Sequence, residues 1–89
     1  MSQLIDNTAR SRYEWPVDGR TAFVDYRRGD GVLALTHAEV PRELEGRGVG
    51  SAMVHAVLEA ARANGEKVRP HCSFVAAYMR RHKEFQDLL

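Results

Sequence analysis

Hydrophobic and polar positions follow two rhythms along this chain. From Arg12 to Val40 the period is two. Arg12-Tyr13-Glu14-Trp15 sets Tyr13 and Trp15 on one face, and Pro16, lacking an N–H, limits that strand. Asp18-Gly19 is a hairpin turn signal. Arg20 to Arg28 places Ala22, Val24 and Tyr26 on one face and Phe23 on the other, and Gly29-Asp30-Gly31 turns the chain again. Val32 to Val40 is apolar on both faces at its start, which predicts a central strand covered on both sides. Pro41 ends its ladder. Short turns between these runs make an antiparallel meander.

From Val49 the period becomes helical. Val49, Ala52, Met53, Ala56, Val57 and Ala60 fall on one face, and Ser51, His55, Glu59 and Arg62 on the opposite one. Asn64-Gly65 stops this helix, with Gly65 as its left-handed cap. Lys67 to Cys72 reads as a short strand near an edge, weakened by Pro70. Ser73 can N-cap a second helix from Phe74 to about His82. Phe85 to Leu89 carries enough apolar residues to dock. Residues Met1 to Ser11 read as a loose arm or a short first strand. The elements sum to an α+β sandwich: a mainly antiparallel sheet, a strand–loop–helix unit and a second strand–helix unit.

The strand–loop–helix unit is the part with chemistry in it. Gly46, Gly48 and Gly50 stand on alternate positions between strand and helix. Such glycines take φ > 0 and leave no Cβ in the way of a ligand. The first turn of a helix offers unpaired N–H groups and the positive end of its dipole. The combination suits phosphate or pyrophosphate, with Arg47 as a charged donor. A purely structural turn explains the same residues. Two known phosphate loops do not fit: Ser51-Ala52 follows Gly50 where the Walker pattern needs Lys-Ser/Thr, and Ser51 stands where the dinucleotide pattern needs a third glycine.

Composition narrows the field. At 89 residues this is one domain, 1–89, of ordinary apolar content. A formal net charge of +1 argues against a dedicated nucleic-acid binder. The single cysteine, Cys72, allows no internal disulfide and no cysteine-rich metal site. The four histidines, His37, His55, His71 and His82, show no paired short spacing for a metal. No apolar run approaches the ~20 residues of a membrane span, and no signal-peptide pattern opens the chain, so the cytoplasm is the expected location.

Val40-Pro41 followed by Glu45-Gly46-Arg47-Gly48-Val49-Gly50-Ser51-Ala52 and an amphipathic helix resembles the acetyl-CoA signature of the GCN5-related N-acetyltransferases, Gln/Arg-x-x-Gly-x-Gly/Ala. Aligned on Gly48 and Gly50, the first signature position is Glu45 instead of Gln or Arg, and Arg47 supplies a compensating charge. Val68-Arg69-Pro70-His71-Cys72-Ser73-Phe74-Val75, with Tyr78, Arg81-His82 and Glu84-Phe85, resembles the second motif of the small single-domain branch. The resemblance runs from about Tyr13 to Leu89.

What the resemblance implies is an acetyl-CoA-dependent N-acetyltransferase, with the coenzyme as co-substrate and an unidentified amine as acceptor. The pantetheine arm would pair with main chain around Ala38 to Val40, where neighbouring parallel strands splay. The pyrophosphate would sit on Leu44, Glu45, Gly46, Arg47, Gly48, Val49, Gly50 and Ser51. Arg81, in the basic run Arg80-Arg81-His82-Lys83, is a candidate for the 3′-phosphate; a solvated helix end explains that run equally. With only Met1 to Ser11 ahead of the meander, the acceptor side is expected to be open, and the protein to be a monomer or a homodimer.

Acetyl transfer asks for a base, a polarised carbonyl and a proton for the thiolate. The resemblance places a tyrosine acid in the region of the second helix, which makes Tyr78 the candidate, with core or rim packing as the rival explanation. His37 and Glu39, late in the central strand, are candidate bases, with a solvated strand end as theirs. Cys72, beside the second helix start and near Arg69 and His71 in sequence, is suited to nucleophilic use, which would pass through an acetyl-cysteine intermediate; a small buried apolar residue is the rival. The alternative for the whole chain is a non-catalytic acyl-CoA-binding or protein-interaction module.

Overall fold

The computed structural model describes residues 3–89. Of the amino-terminal stretch, Met1 and Ser2 lie outside the described residues. Ile5–Asn7 forms a short first strand, β1, followed by a 3-10 turn at Thr8–Arg10. The meander follows as β2 (Arg12–Val17), β3 (Arg20–Gly29) and β4 (Val32–Glu39). A 3-10 turn at Arg42–Leu44 and the glycine loop lead into α1 (Val49–Ala63). Then come β5 (Lys67–Pro70), α2 (Ser73–Arg81) and a 3-10 tail at Lys83–Leu88.

The strands form one five-stranded sheet in the order β1-β2-β3-β4-β5. The pairs β1–β2, β2–β3 and β3–β4 are antiparallel, and β4–β5 is parallel, as its helical crossover requires. Both hairpin turns hold an Asp and a Gly at positive φ: Asp18 and Gly19, then Asp30 and Gly31. That is the left-handed pairing a two-residue hairpin favours. Pro16 does not end β2. The strand runs through it to Val17, with Pro16 paired opposite Thr21.

The core lies between one face of the sheet and the helices. Ala22, Val24, Leu33, Leu35 and Val68 from the strands meet Met53, Val57, Leu58 and Ala61 of α1 and Val75 of α2, all essentially inaccessible to water. Phe85 and Leu88 dock the tail into the same cluster. The opposite sheet face has no helix on it among the described residues. The expectation that β4 is covered on both sides is therefore corrected: Leu33 and Leu35 are buried, but Val32 and Ala34 are only half-buried.

The helices also shift by a residue from their expected settings. On α1 the buried stripe is Val49, Gly50, Met53, Val54, Val57, Leu58 and Ala61, while Ala52 is exposed. The larger side chains Val54 and Leu58 take the core positions, since they remove more apolar surface from water than alanines do. On α2 the N-cap is Cys72, and Ser73 is the first helical residue. Gly65 at φ 70° turns the chain after α1, as its sequence position suggests.

A register shift in β4 decides which of its side chains face the helices. Tyr26 pairs with Leu35 but Asp25 pairs with His37, so Thr36 is an extra residue, a β-bulge. Strict alternation would place His37 and Glu39 on the same face as Leu33 and Leu35. The bulge reverses that parity. Ala38, opposite buried Val24, and Val40 face the helices, and His37 and Glu39 face the open side.

Candidate active site at the strand fork

β4 outruns its parallel neighbour. Their pairing ends at Leu35–Pro70, and the Cys72 N–H then donates to the Leu35 carbonyl at 3.0 Å. Beyond that bond β5 turns away into α2. The rest of β4 pairs, among the described residues, with β3 alone. The sheet is thus forked at Leu35 and Cys72.

The loop beyond β4 is held by one anchor and two special backbone positions. Leu44, at 1% exposure, sinks into the core. Gly46 and Gly48 adopt φ 80° and 73°, a region where a side chain meets its own backbone. Gly48 is the N-cap of α1, and its carbonyl accepts the first helical bond, from Ala52 N–H at 3.1 Å. The N–H groups of Val49, Gly50 and Ser51 therefore lie in the first turn, where α-helical geometry provides no acceptor. No acidic residue stands in that turn to compete for them.

Gly50 is different. Its φ is ordinary, and it is glycine because of what lies against it. A Cβ there would stand 2.9 Å from Cζ and 3.3 Å from Cε2 of Phe74, and 3.3 Å from Cγ2 of Val40. The ring of Phe74, from α2, rests on the first turn of α1. Together they bound a cleft of about 290 Å³ lined by Val40, Leu44, Glu45, Gly46, Gly48, Val49, Gly50, Ser51 and Phe74. Apolar walls and a rim of backbone N–H groups suit a chain-like ligand ending in phosphate.

Most of the sequence-derived coenzyme positions are brought together here; three are not. Ala38 lies on the strand leading in. The Arg47 guanidinium points away, donating to Asp18 at 2.8 Å across an exposed ion pair with the β2–β3 turn. Arg81 is exposed at the far end of α2. Phe74 lines the cleft although its sequence position suggested only a helix face. The sequence signal for it was only its place two residues after Cys72, at the start of the second helix.

The catalytic candidates divide between the two sides of the fork. Cys72 is half-buried at the edge of the core, and its carbonyl caps α2 by accepting from Ala76 N–H at 3.0 Å. His37 and Glu39 lie on the open face, with Nε2 and Oε1 3.3 Å apart and both side chains more than half exposed. Tyr78 is at neither place. It is 3% exposed, its hydroxyl lies 3.2 Å from His55 Nδ1, and its ring stacks on His82 at 3.9 Å. Burial raises its pKa above the usual tyrosine value, with Glu84 adding to the effect. Among the described residues no group of three or more His, Cys, Asp or Glu is arranged to hold a metal.

Comparison with known proteins gives the family and the fold. The family model of the GCN5-related N-acetyltransferases matches residues 12–88. The chain belongs to that family. The NMR solution structure of a GCN5-like protein from Staphylococcus aureus superposes with a TM-score of 0.73 at 29% sequence identity, covering 99% of this chain and 89% of that one. No curated protein matches the chain. Among the described residues, no helix is long and apolar enough to cross a membrane.

Proposed function

We propose that this protein is an acetyl-CoA-dependent N-acetyltransferase that passes an acetyl group to an amine. The observation that carries the reading is the fork. It opens from the helical side of the sheet, where the cleft and the α1 N-terminus lie, to the open side, where His37 and Glu39 stand. The coenzyme arm enters from the first side, its amides meeting the β4 main chain at Ala38 and Val40. Its pyrophosphate rests on the N–H groups of the loop from Gly46 to Ser51. The amine comes from the second side.

The chain's own part in the chemistry is limited. Glu39, directly or through His37, takes the proton that the attacking amine loses. The C–N bond forms as the C–S bond breaks, and the leaving thiolate takes a proton. Tyr78, turned toward His55, is poorly placed to give it. Cys72 is better placed, either as that proton donor or as the nucleophile of an acetyl-cysteine route. The same displacement of Tyr78 supports the second reading, a module that binds acyl-CoA without turnover.

The test is a calorimetric titration of the wild type and Gly48→Glu with acetyl-CoA, followed by turnover assays across an amine library. Saturable binding, lost in the variant, is the expected result, because the new side chain must adopt a positive φ and sets a carboxylate where phosphates would lie. Binding without turnover on any amine would favour the module. No binding by folded wild type would remove both readings.

A further inference from the structure

α2 begins at the fork, yet little holds its beginning. Cys72, the N-cap, makes no side-chain capping bond. Its backbone bond to Leu35 fixes the chain but not the direction in which the helix leaves. Two side chains of the first turn supply that direction. Val75 points into the core with no exposure. Phe74 points the other way and is 39% exposed, a large apolar side chain left half in water. It is not free there. Its ring tip occupies the space that a Cβ on Gly50 would need.

That contact joins the two halves of the site. Gly50 belongs to the first turn of α1, beside the loop. Phe74 belongs to the first turn of α2, beside Cys72. Val40, the residue after β4, has its Cγ2 3.3 Å from the same Cβ position, so strand end, loop helix and fork helix all crowd Gly50. Val75, Tyr78 and Met79 anchor α2 to the core, and this wedge is the contact at the mouth of the site that sets the spacing from fork to loop. A rigid aromatic ring meets that need with little rotamer freedom to lose.

We propose that Phe74 is a positioning residue: its ring, seated on Gly50, ties the start of α2, and with it Cys72, to the glycine loop. The consequence for catalysis rests on the proposed acetyltransferase reading; the contact itself does not. A ligand in the cleft and the thiol at the fork are then held in register by the same ring. At position 50 it is the seated ring, not the backbone conformation, that a Cβ would crowd.

Because Cys72 is the only cysteine, its alkylation by iodoacetamide reports the fork alone. The proteins to compare are wild type, Phe74→Ala, Gly50→Ala, the double variant and Phe74→Leu, each shown by circular dichroism and cooperative melting to be folded. Val75 keeps its core anchor in all of them. Phe74→Ala and Gly50→Ala should each raise the alkylation rate by about threefold or more, the first by removing the ring and the second by displacing it. Coupling through one contact requires that Gly50→Ala add nothing once the ring is gone. Phe74→Leu, which keeps an apolar wedge, should return the rate to within about twofold of wild type.

Rates unchanged in both single variants would overturn the proposal. So would a Gly50→Ala effect that persists at full size in the Phe74→Ala background. A parallel calorimetric titration with coenzyme A separates the two claims. Failure of the wild type to bind would remove the acetyltransferase reading, and the alkylation rates would still decide the wedge. Where the wild type binds, Phe74→Ala should weaken binding by about tenfold, and Phe74→Leu should restore most of it.

Discussion

The two ends of the sheet are built on opposite plans. At the end where β4 begins and α1 finishes, polar groups are locked to one another. Arg28 donates from Nε to Glu66 at 2.6 Å, from Nη1 to Asp6 at 3.1 Å and from Nη2 to the Tyr13 hydroxyl at 2.8 Å. The Tyr26 hydroxyl donates to Asp6 at 2.6 Å. Nearby, Arg62 grips Asp87 through two bonds, and the Lys67 ammonium donates to the Asp87 carbonyl. At the other end stand the fork, the glycine loop and a helix N-terminus whose N–H groups have no helical acceptor. The ion pairs that touch that loop among the described residues, Arg47–Asp18 and Arg20–Glu43, are exposed. One end stabilises the fold, and the other is the end at which the proposed function places the coenzyme. A mutation should therefore affect stability or affinity according to which end it strikes.

The largest effect is expected at the locked end. Glu66 is 8% exposed, and its Oε1 has no hydrogen-bond partner among the described residues. Arg28 is its counter-ion. Burial works against the charge of Arg28, but the bonds to Glu66 and Asp6 outweigh this and hold its pKa above the usual value. Arg28→Met would leave a buried carboxylate unpaired. Discounted for the partial exposure of the arginine, the loss is about 2–3 kcal/mol, or roughly 10 °C or more in melting temperature. Calorimetric melting checks it. Coenzyme A affinity of the folded fraction should be unchanged within about twofold. A large loss of affinity would show that the two ends are coupled, and the contrast would fail.

Next comes the alkaline limit of the same network. Burial, then the hydrogen bond to Asp6, raises the pKa of Tyr26 to about 12 from the ordinary tyrosine value of 10.0. A group whose folded pKa is raised stabilises fully below its unfolded pKa and loses that contribution as pH rises through the folded value. Stability should thus be level up to about pH 10 and fall by on the order of 2 kcal/mol toward pH 12. Denaturant midpoints across that range would show the slope. Tyr26→Phe should remove most of it, at the expense of the hydroxyl's bonds at neutral pH, and leave the smaller part due to Tyr13 and Tyr78, whose pKa values burial also raises. A slope undiminished in Tyr26→Phe would assign the alkaline transition to another group.

Legibility in the sequence also differs between the ends. The meander, the glycine loop and the docking tail are local or periodic features, and alternation and turn residues announce them. The locked end is not announced, because Asp6, Arg28 and Glu66 meet only when β1, β3 and the turn after α1 come together. At the loop end the glycines and the helix start were legible, but the direction of Arg47 and two features that orient the loop were not. Thr36 bulges out of β4 without any sequence mark, and that one residue sends His37 and Glu39 to the open face. The contact of Phe74 with Gly50 spans two helices, so a glycine that looked like a loop residue is a packing residue. Tyr78 shows the converse. Its helix and position suited an acid, but its direction, toward His55, is set by how α2 leans on α1.

The smallest expected effect would sharpen the contrast most. Asp18 holds Arg47 across an exposed ion pair, with side chains 67% and 51% accessible. Such a pair is worth only about 0–1 kcal/mol to stability. Asp18 has φ 50°, a left-handed conformation that asparagine adopts as readily. Asp18→Asn therefore removes the charge without straining the turn, and the melting temperature should barely move. If Arg47 serves the coenzyme phosphates, Asp18 competes with them for its guanidinium. Asp18→Asn should then tighten acetyl-CoA binding by about two- to fivefold at low ionic strength, and the gain should vanish as salt screens both interactions. Calorimetry at two salt concentrations reads this directly, and in an Arg47→Ala background Asp18→Asn should make no difference. A gain that persists in Arg47→Ala would mean that Asp18 repels the ligand itself. No gain at low salt would leave the phosphates to the backbone N–H groups of the loop, with Arg47 a tether between hairpin and loop.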